Sequence, residues 1–327
     1  MPRRTDSAEL VARSLADGAV HSGEQLAQAL GISRAAVWKH VRRLEILGLE
    51  VRGAPGKGYR LAAPLDLLDA ACLDALLGVA LRQRLRALTV LDEVDSTNTW
   101  LMQHAPAFPA VCLAERQTAG RGRRGRPWVS PYAANLYLSL GWQFEDLPPG
   151  FTALAMVAAI AVVQALAVLG VHGVAIKWPN DLYASGRKLA GILVDLQGET
   201  PARVRAVIGI GLNVQVPASA AADINQPWTD LATEARGRVP GRNPLAATII
   251  GQLLQTLDEF AVRGFAAFGD AWRVLDLAAG RAVELHQHGG IVRGTAAGVD
   301  GDGALLLESA GATHRYVSGD LSLRLAS

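Results

Sequence analysis

The sequence predicts an α+β chain, and three observations predict it. Residues 22 to 47 carry the caps and spacing of two helices joined by a tight turn, with a basic hairpin behind them. From about residue 66 to 275, apolar strand-like runs come in neighbouring groups before helices intervene, which favours a mixed sheet over a doubly wound one. Beyond about residue 276, short strands alternate with glycine turns, the pattern of a small all-β barrel. At 327 residues, half of them hydrophobic, the chain can bury a large core and divide into two or three domains.

In the first of these, Ser22 and Gln25 form a capping box, Leu26 and Leu30 give an apolar stripe, and Gly31 ends the helix. Ser33 caps the next helix. Its Val37, Val41 and Leu44 face inward at helical spacing, leaving Arg34, Trp38, Lys39, Arg42 and Arg43 to solvent. Residues 49 to 61 then read as a hairpin with Lys57 near its tip, and a helix over about 7 to 16 completes a winged helix-turn-helix. The alternative is a plain amphipathic bundle, against which the wing counts. Residues 1 to 65 hold ten Lys/Arg against six Asp/Glu, leaving 22 against 24 for the rest, so the positive excess sits where DNA would be met.

After a short linker near Pro64, strands are expected around 88 to 94, 110 to 115, 135 to 142, 174 to 176, 189 to 196 and 204 to 214, and helices near 97 to 104, 151 to 169 and 245 to 263. Residues 153 to 171 are uncharged and near the length of a membrane span. Their Ala and Val content, central Gln164 and polar flanks point instead to a buried core helix. Residues 217 to 244 read as a surface excursion. In the last part, strands are expected at 282 to 287, 291 to 299, 304 to 308, 314 to 317 and 321 to 325. His286 and His288 share a strand face there and read as a surface pair, not a metal site. Cys72 and Cys112 are too few for a zinc or disulfide framework, and the N-terminus lacks a signal-like apolar stretch, so a reducing cytoplasm and no membrane are expected.

The most concentrated chemistry lies at Gly120 to Arg126, four arginines among three glycines with Trp128 following. So dense a run of guanidinium forks has no core of its own, and reads as a mobile loop awaiting an anion. It also satisfies G-x-G-x-x-G. A dinucleotide turn must open a helix, however, and Pro127 biases the chain away from one. A kinase reading gains nothing from Val174-Ala175-Ile176-Lys177, which stands about fifty residues downstream without H-R-D or D-F-G.

Four further motifs accompany the loop: Ser96-Thr97-Asn98, Lys177-Trp178-Pro179-Asn180-Asp181, Arg187-Lys188-Leu189-Ala190-Gly191-Ile192-Leu193 and Gly209-Ile210-Gly211-Leu212-Asn213-Val214. Their order and spacing resemble the biotin–protein ligases, and the whole chain resembles the bacterial kind that also represses biotin synthesis. The resemblance implies a winged helix-turn-helix domain at 1–65, a mixed-sheet ligase catalytic domain at 66–275 and an SH3-like β-barrel at 276–327. It implies that the biotin carboxylate attacks the α-phosphorus of Mg-ATP, and that the biotinyl-5'-AMP formed passes its acyl group to a lysine of a biotin carboxyl carrier protein.

On the same resemblance, biotin falls to Ser96, Thr97, Asn98, Gln117, Arg121, Gly122, Arg123 and Lys188, while ATP and adenylate fall to Arg121, Arg123, Arg126, Trp128, Lys177, Asn180, Asn213 and Arg324. Ser96 could equally be a helix cap. Lys188, between the two repelling anions, is the first candidate for catalysis, with Arg123 and Asp181 beside it. Asp181 is open to three roles: metal ligand for Mg2+, support for Lys188, or proton acceptor from the incoming lysine. Operator DNA is expected to meet Ser33, Arg34, Trp38, Lys39, Arg42 and Lys57, with a homodimer forming when the adenylate is bound. Two other readings remain: a DNA-binding regulator that only senses biotin or its adenylate, and a ligase whose DNA-binding domain is vestigial. A lipoate or octanoyl ligase fits less well, because such substrates lack the ureido ring that the Ser-Thr-Asn and Gln117 groups suit.

Overall fold

The computed structural model describes residues 7–54, 57–198, 203–235, 238–287, 290–317 and 322–325. Pro55, Gly56, His288 and Leu321, on which sequence expectations fell, lie outside them.

The chain opens with helices α1 (Ser7–Leu15), α2 (Gly23–Leu30) and α3 (Arg34–Ile46). Both halves of the Ser22/Gln25 capping box are made, Gly31 closes α2 in the left-handed region, and Ser33 accepts the Ala36 N–H. Val37, Val41 and Leu44 bury against Val11, Leu15 and Leu26. Strands β1 (Val51–Ala54) and β2 (Gly58–Leu61) form the antiparallel wing. At its root a β-carbon on Gly58, φ +131°, would lie 2.0 Å from the His21 carbonyl oxygen, so only glycine allows the His21–Tyr59 bridge.

Next come α4 (Ala70–Arg84), β3 (Ala87–Val94), α5 (Thr97–His104), β4 (Ala110–Gln117), β5 (Leu136–Phe144), α6 (Leu154–Val168), β6 (Val174–Lys177), β7 (Asp181–Ala184), β8 (Arg187–Gln197) and β9 (Val204–Leu212). Short helices α7 (Ala218–Ala221) and α8 (Leu231–Glu234) lead to α9 (Arg242–Arg263) and α10 (Gly269–Leu275). The seven strands order as β3-β4-β5-β9-β8-β7-β6. Only β3 and β4 pair in parallel, so the sheet is mixed, as expected. Alternation along β4 separates two layers: Val111 and Leu113 join the main core, while Ala110 and Cys112 pack with Leu101 of α5 on the other face. Helix α6 is the core helix expected. Residues 151–168 are long and apolar enough to cross a membrane, yet 67% of them is buried in the fold.

The last strands, β10 (Ala282–Gln287), β11 (Gly290–Val299), β12 (Leu305–Ser309), β13 (Ala312–Tyr316) and β14 (Ser322–Leu325), make an antiparallel sheet in the order β13-β12-β11-β10-β14. As paired, this sheet is open, with β13 and β14 at its edges. Its inward residues Val283, Leu285, Leu305 and Leu307 share the main core. Trp178 Nε1 donates to the Gly303 carbonyl at 3.2 Å and ties the Lys177–Asp181 turn to this sheet.

Besides the short helices α7 and α8, three described elements were not expected. Helix α4 contains Gly78 at φ +68°, a break that spoils its helical periodicity; β7 is only four residues long; and α10 is a two-turn helix. Helix α9 also begins earlier, at Arg242, whose role as an anchor no apolar pattern announces.

Candidate functional site

Where β3 runs into α5, Ser96 N-caps the helix, its Oγ 3.5 Å from the Thr99 N–H, so the capping reading and a place in the wall coexist. Parallel pairing sets Gln117 beside Val94, and Gln117 Oε1 accepts both the Thr97 N–H at 2.9 Å and its hydroxyl at 3.1 Å. Behind them, Ser139 Oγ lies 2.7 Å from Thr97 Oγ1 and 2.6 Å from Asn98 Oδ1, and Asn98 Nδ2 donates to Asp195 at 2.9 Å. Ser139 and Asp195 are additions to the sequence reading. A β-carbon on Gly209 would sit 2.3 Å from Asn98 Oδ1, so the close approach needs that glycine.

The arginine loop is a compact strap. Gly122 N–H donates to the Arg126 carbonyl at 2.7 Å and Trp128 N–H to that of Gly120 at 2.9 Å, around one 3-10 turn over Arg123–Gly125. Arg124 takes φ +58° at the tip. Arg121 reaches Thr99 Oγ1 at 3.2 Å and Arg123 reaches Asn180 Oδ1 at 3.2 Å, so the strap touches both flanks of the sheet.

The floor comes from β7, β8 and β9. Antiparallel pairing brings Asp181 and Lys188 together, with Lys188 Nζ 2.8 Å from Asp181 Oδ1 and 5.5 Å from the centre of the Trp128 ring. That indole lies flat on Gly191 and Gly211; a β-carbon at Gly211 would come within 2.4 Å of Trp128 Cε2. Lys177 Nζ stands 3.3 Å from Tyr183 Oη. Burial holds Lys177 below the ordinary lysine value, opposed by Asp181 and reinforced by Lys188, Arg324 and Arg126. Burial, and then Asp181, push the Tyr183 phenol up to about 12.

Residues 223–228 close another side while staying largely exposed, so part of the surface excursion expected over 217 to 244 also walls the cavity: the Lys188 N–H donates to the Pro227 carbonyl, and the Thr229 N–H to that of Lys188. Asn213 Nδ2 donates to the Thr229 carbonyl at 3.0 Å and so holds this segment. Arg324, from β14, lines the cavity's rim.

The cavity so enclosed measures about 740 Å³. Every expected ligand residue lines it: Ser96, Thr97, Asn98, Gln117, Arg121, Gly122, Arg123, Arg126, Trp128, Lys177, Asn180, Asp181, Lys188, Asn213 and Arg324. Its polar, neutral end at Thr97 and Gln117 and its cationic end at Lys177, Arg126 and Arg324 suit a ligand that is uncharged at one tip and anionic along its length. Lys188 lies within electrostatic reach of Lys177 at the cationic end. Among the described residues no three metal-ligating side chains cluster. Far from the cavity, Arg34, Trp38, Lys39, Arg42 and Lys57 are exposed on α3 and the wing, Arg42 stacks over Trp38 at 5.2 Å, and the Ser33 hydroxyl is engaged as a cap.

Comparison with known proteins gives three matches along the chain: the biotin/lipoate A/B protein ligase family over residues 90–213, an HTH domain over 10–60 and a biotin protein ligase C-terminal domain over 279–324. The bifunctional ligase/repressor BirA of Salmonella typhimurium is 42% identical over 314 residues, 95% of this chain and 96% of that protein. Its Escherichia coli counterpart is 41% identical, covering 95% of each. The biotin–[acetyl-CoA-carboxylase] ligase of Mycobacterium tuberculosis is 34% identical, covering 80% of this chain and 97% of that one. Among solved structures, the biotin protein ligase from Aquifex aeolicus in complex with biotin and ATP superposes with a TM-score of 0.64 at 28% identity, covering 74% of this chain and all of that one.

Proposed function

The chain belongs to the biotin protein ligases, in the branch of the bifunctional ligase/repressors, and from that premise we propose the chemistry of its cavity and of its N-terminal helices. It is an ATP-dependent ligase that joins biotin to a carrier-protein lysine through biotinyl-5'-AMP, and a biotin-responsive repressor. The observation that carries the reading is the meeting, in one cavity, of the Thr97/Gln117 wall, the arginine strap and Lys188.

In the proposed mechanism the neutral bicycle of biotin lies against Ser96, Thr97, Asn98 and Gln117, and its carboxylate points toward Lys188. Arg121, Gly122 and Arg123 close over it, while Lys177, Asn180, Arg126, Trp128, Asn213 and Arg324 take the nucleotide. Two anions must approach against their repulsion, and charge grows on the α-phosphoryl oxygens as the carboxylate adds. Cations already in place lower that barrier without reorganising. Lys188, held by Asp181, is such a cation. Asp181, the wall carboxylate beside Lys188, would hold a Mg2+ arriving with ATP, and that ion would offset phosphate charge. Pyrophosphate leaves, and the strap shields the mixed anhydride from water until the acceptor lysine attacks.

The proposal extends to domains at 1–65, 66–275 and 276–327. The last is assigned as an SH3-like barrel, supported by five antiparallel strands and the bulge between Ala296 and Val299 that bends β11. Operator DNA meets Arg34, Trp38, Lys39, Arg42 and Lys57, with Ser33 fixing the start of α3. An adenylate-bound homodimer presents two such helices to two half-sites. A cytoplasmic location suits the free thiols Cys72 and Cys112.

Biotin, Mg-ATP and a biotin carboxyl carrier acceptor domain test this. Wild type is expected to form the adenylate, seen by mass spectrometry, and to modify the acceptor, and Lys188→Ala to lose at least about 100-fold in kcat/KM while staying folded. Wild-type protein that forms no adenylate would leave a sensor only, and the enzyme claim would fall.

A further inference from the structure

The polar wall of Thr97, Asn98, Ser139 and Asp195 admits one direction of hydrogen bonding, and it starts at Asp195. Asn98 Nδ2 lies 2.9 Å from Asp195 Oδ2 and 3.4 Å from the Leu193 carbonyl. A carboxylate and a carbonyl accept, so the amide turns its NH2 toward them and its oxygen toward Ser139. Ser139 Oγ, 2.6 Å from Asn98 Oδ1, gives its single proton to that oxygen. Its 2.7 Å contact with Thr97 Oγ1 then requires Thr97 to donate. The other neighbour of the Thr97 hydroxyl, Gln117 Oε1 at 3.1 Å, is an acceptor too, because it takes the Thr97 N–H. Whichever oxygen receives it, the Thr97 proton points into the wall. The cavity is offered a Thr97 lone pair, and Gln117, its oxygen occupied, offers its NH2. Ser139 is fully buried, and Thr97 and Asn98 are nearly so, which makes an unmade bond here costly and the direction firm.

We propose that Asp195 is a positioning residue for substrate selection. Through Asn98 and Ser139 it holds Thr97 as acceptor beside Gln117 as donor, an array matched to a neutral ureido group with an N–H next to a C=O. This rests on the biotin reading above and assigns its selectivity to a carboxylate outside the ligand's reach. Without that carboxylate Asn98 can turn over and present its NH2 to Ser139. The Ser139 hydroxyl then turns to donate to Thr97, which leaves that oxygen one lone pair in place of two for the ureido N–H. Arg121 also approaches Asp195, at 3.6 Å, so a readout confined to the ureido contact is needed.

Acceptor biotinylation by wild type, Asp195→Ala and Asp195→Asn is therefore measured with biotin and with the two carbamate analogues in which one ureido N–H is replaced by oxygen. Asp195→Ala is expected to raise the biotin KM about tenfold with kcat within about twofold, and to shrink by a similar factor the preference for biotin over the poorer carbamate. Asp195→Asn, whose amide oxygen still accepts from Asn98, is expected to stay within about threefold of wild type. An unchanged KM in Asp195→Ala overturns the proposal, and so does a raised KM with undiminished preference, which would reduce Asp195 to a packing role. Ser139→Ala removes the hydroxyl that would turn toward Thr97 and leaves Gln117 to take the Thr97 proton. It is therefore expected to keep the biotin KM within about threefold and, combined with Asp195→Ala, to bring that variant back toward wild type. A rise of about tenfold in Ser139→Ala alone overturns the proposal, also should Asp195→Ala not fold. Wild-type protein that leaves the acceptor unmodified overturns the ligase reading itself, and the selectivity proposal with it.

Discussion

Lys177 shows how the cavity prepares for charge that is not yet there. Its ammonium lies 5.0 Å from the centre of the Tyr183 ring, buried and within electrostatic reach of Lys188, Arg126 and Arg324, with Asp181 opposing them. The site is thus poised to welcome phosphates, because each anion that enters relieves repulsion among cations already fixed in place. Burial first, and then repulsion from Lys188, Arg324 and Arg126, hold Lys177 below its ordinary value, and a bound polyphosphate would raise it again. The sign follows: the protonated form binds the anion, so ATP affinity is full below the lowered value and declines as pH rises through it toward the ordinary lysine value. Lys177→Arg keeps its charge throughout and is expected to flatten that decline. Calorimetric titration of ATP between about pH 7 and pH 10 checks this, within the range a displaced lysine can reach. Identical slopes for the two proteins would show that Lys177 does not hold the nucleotide.

At the scale of elements, α9 is fastened to the sheet by one buried ion pair. Arg242 and Glu115 meet at 2.7 Å, 3% and 0% exposed, and Arg242 also donates to the carbonyls of Asn135 and Asp66, while Glu115 accepts the Leu68 N–H. Burial pushes the Glu115 carboxyl up and Arg242 opposes it, so removing the arginine strands an acid in the core. Arg242→Met is expected to cost about 3–5 kcal/mol in urea unfolding, and Glu115→Gln in the same chain to recover part of it. A loss below about 1 kcal/mol would mean the pair is incidental. Neither partner was legible beforehand, because they stand 127 residues apart and each alone reads as a surface charge. The same applies to the chain from Thr97 through Asn98 and Ser139 to Asp195, which two separate strands and a helix start assemble. What could be read was local: the Ser22/Gln25 box, the inward face of α3 and the ligand motifs, whose chemistry is dense within a few residues. Helix α4, interrupted at Gly78, lacked such a local signature. That the exposed segment 223–228 also walls the cavity was not legible, because its contact with Lys188 runs through backbone, which composition does not report.

Across the whole molecule, the strap and the DNA-binding helices share a junction. Four residues after Trp128, Tyr132 leaves the cavity wall and, with Ala133, packs into the core of the N-terminal helices beside Val11, Leu15 and Val41. Tyr132 Oη donates to Asp92 at 3.4 Å, and Arg13 of α1 holds the same carboxylate at 2.9 Å. Asp92 in turn stands on β3, four residues before Ser96. Both walls of the site therefore continue directly into contacts with α1, so any movement of the strap or of the β3–α5 turn on ligand binding bears on where α3 points. The Arg13–Asp92 pair is partly exposed, and its loss should leave stability nearly unchanged, by less than about 1 kcal/mol. Its effect belongs to coupling. With DNA carrying the biotin-synthesis promoter, biotin and ATP are expected to tighten wild-type binding, and Arg13→Ala to cut that ligand-dependent gain by about threefold or more while biotinylation stays within about twofold. Fluorescence anisotropy with and without the two substrates, beside an acceptor assay, separates the cases. A gain equal to wild type would place the communication elsewhere, and a parallel fall in biotinylation would mean that the junction supports the catalytic fold and carries no signal.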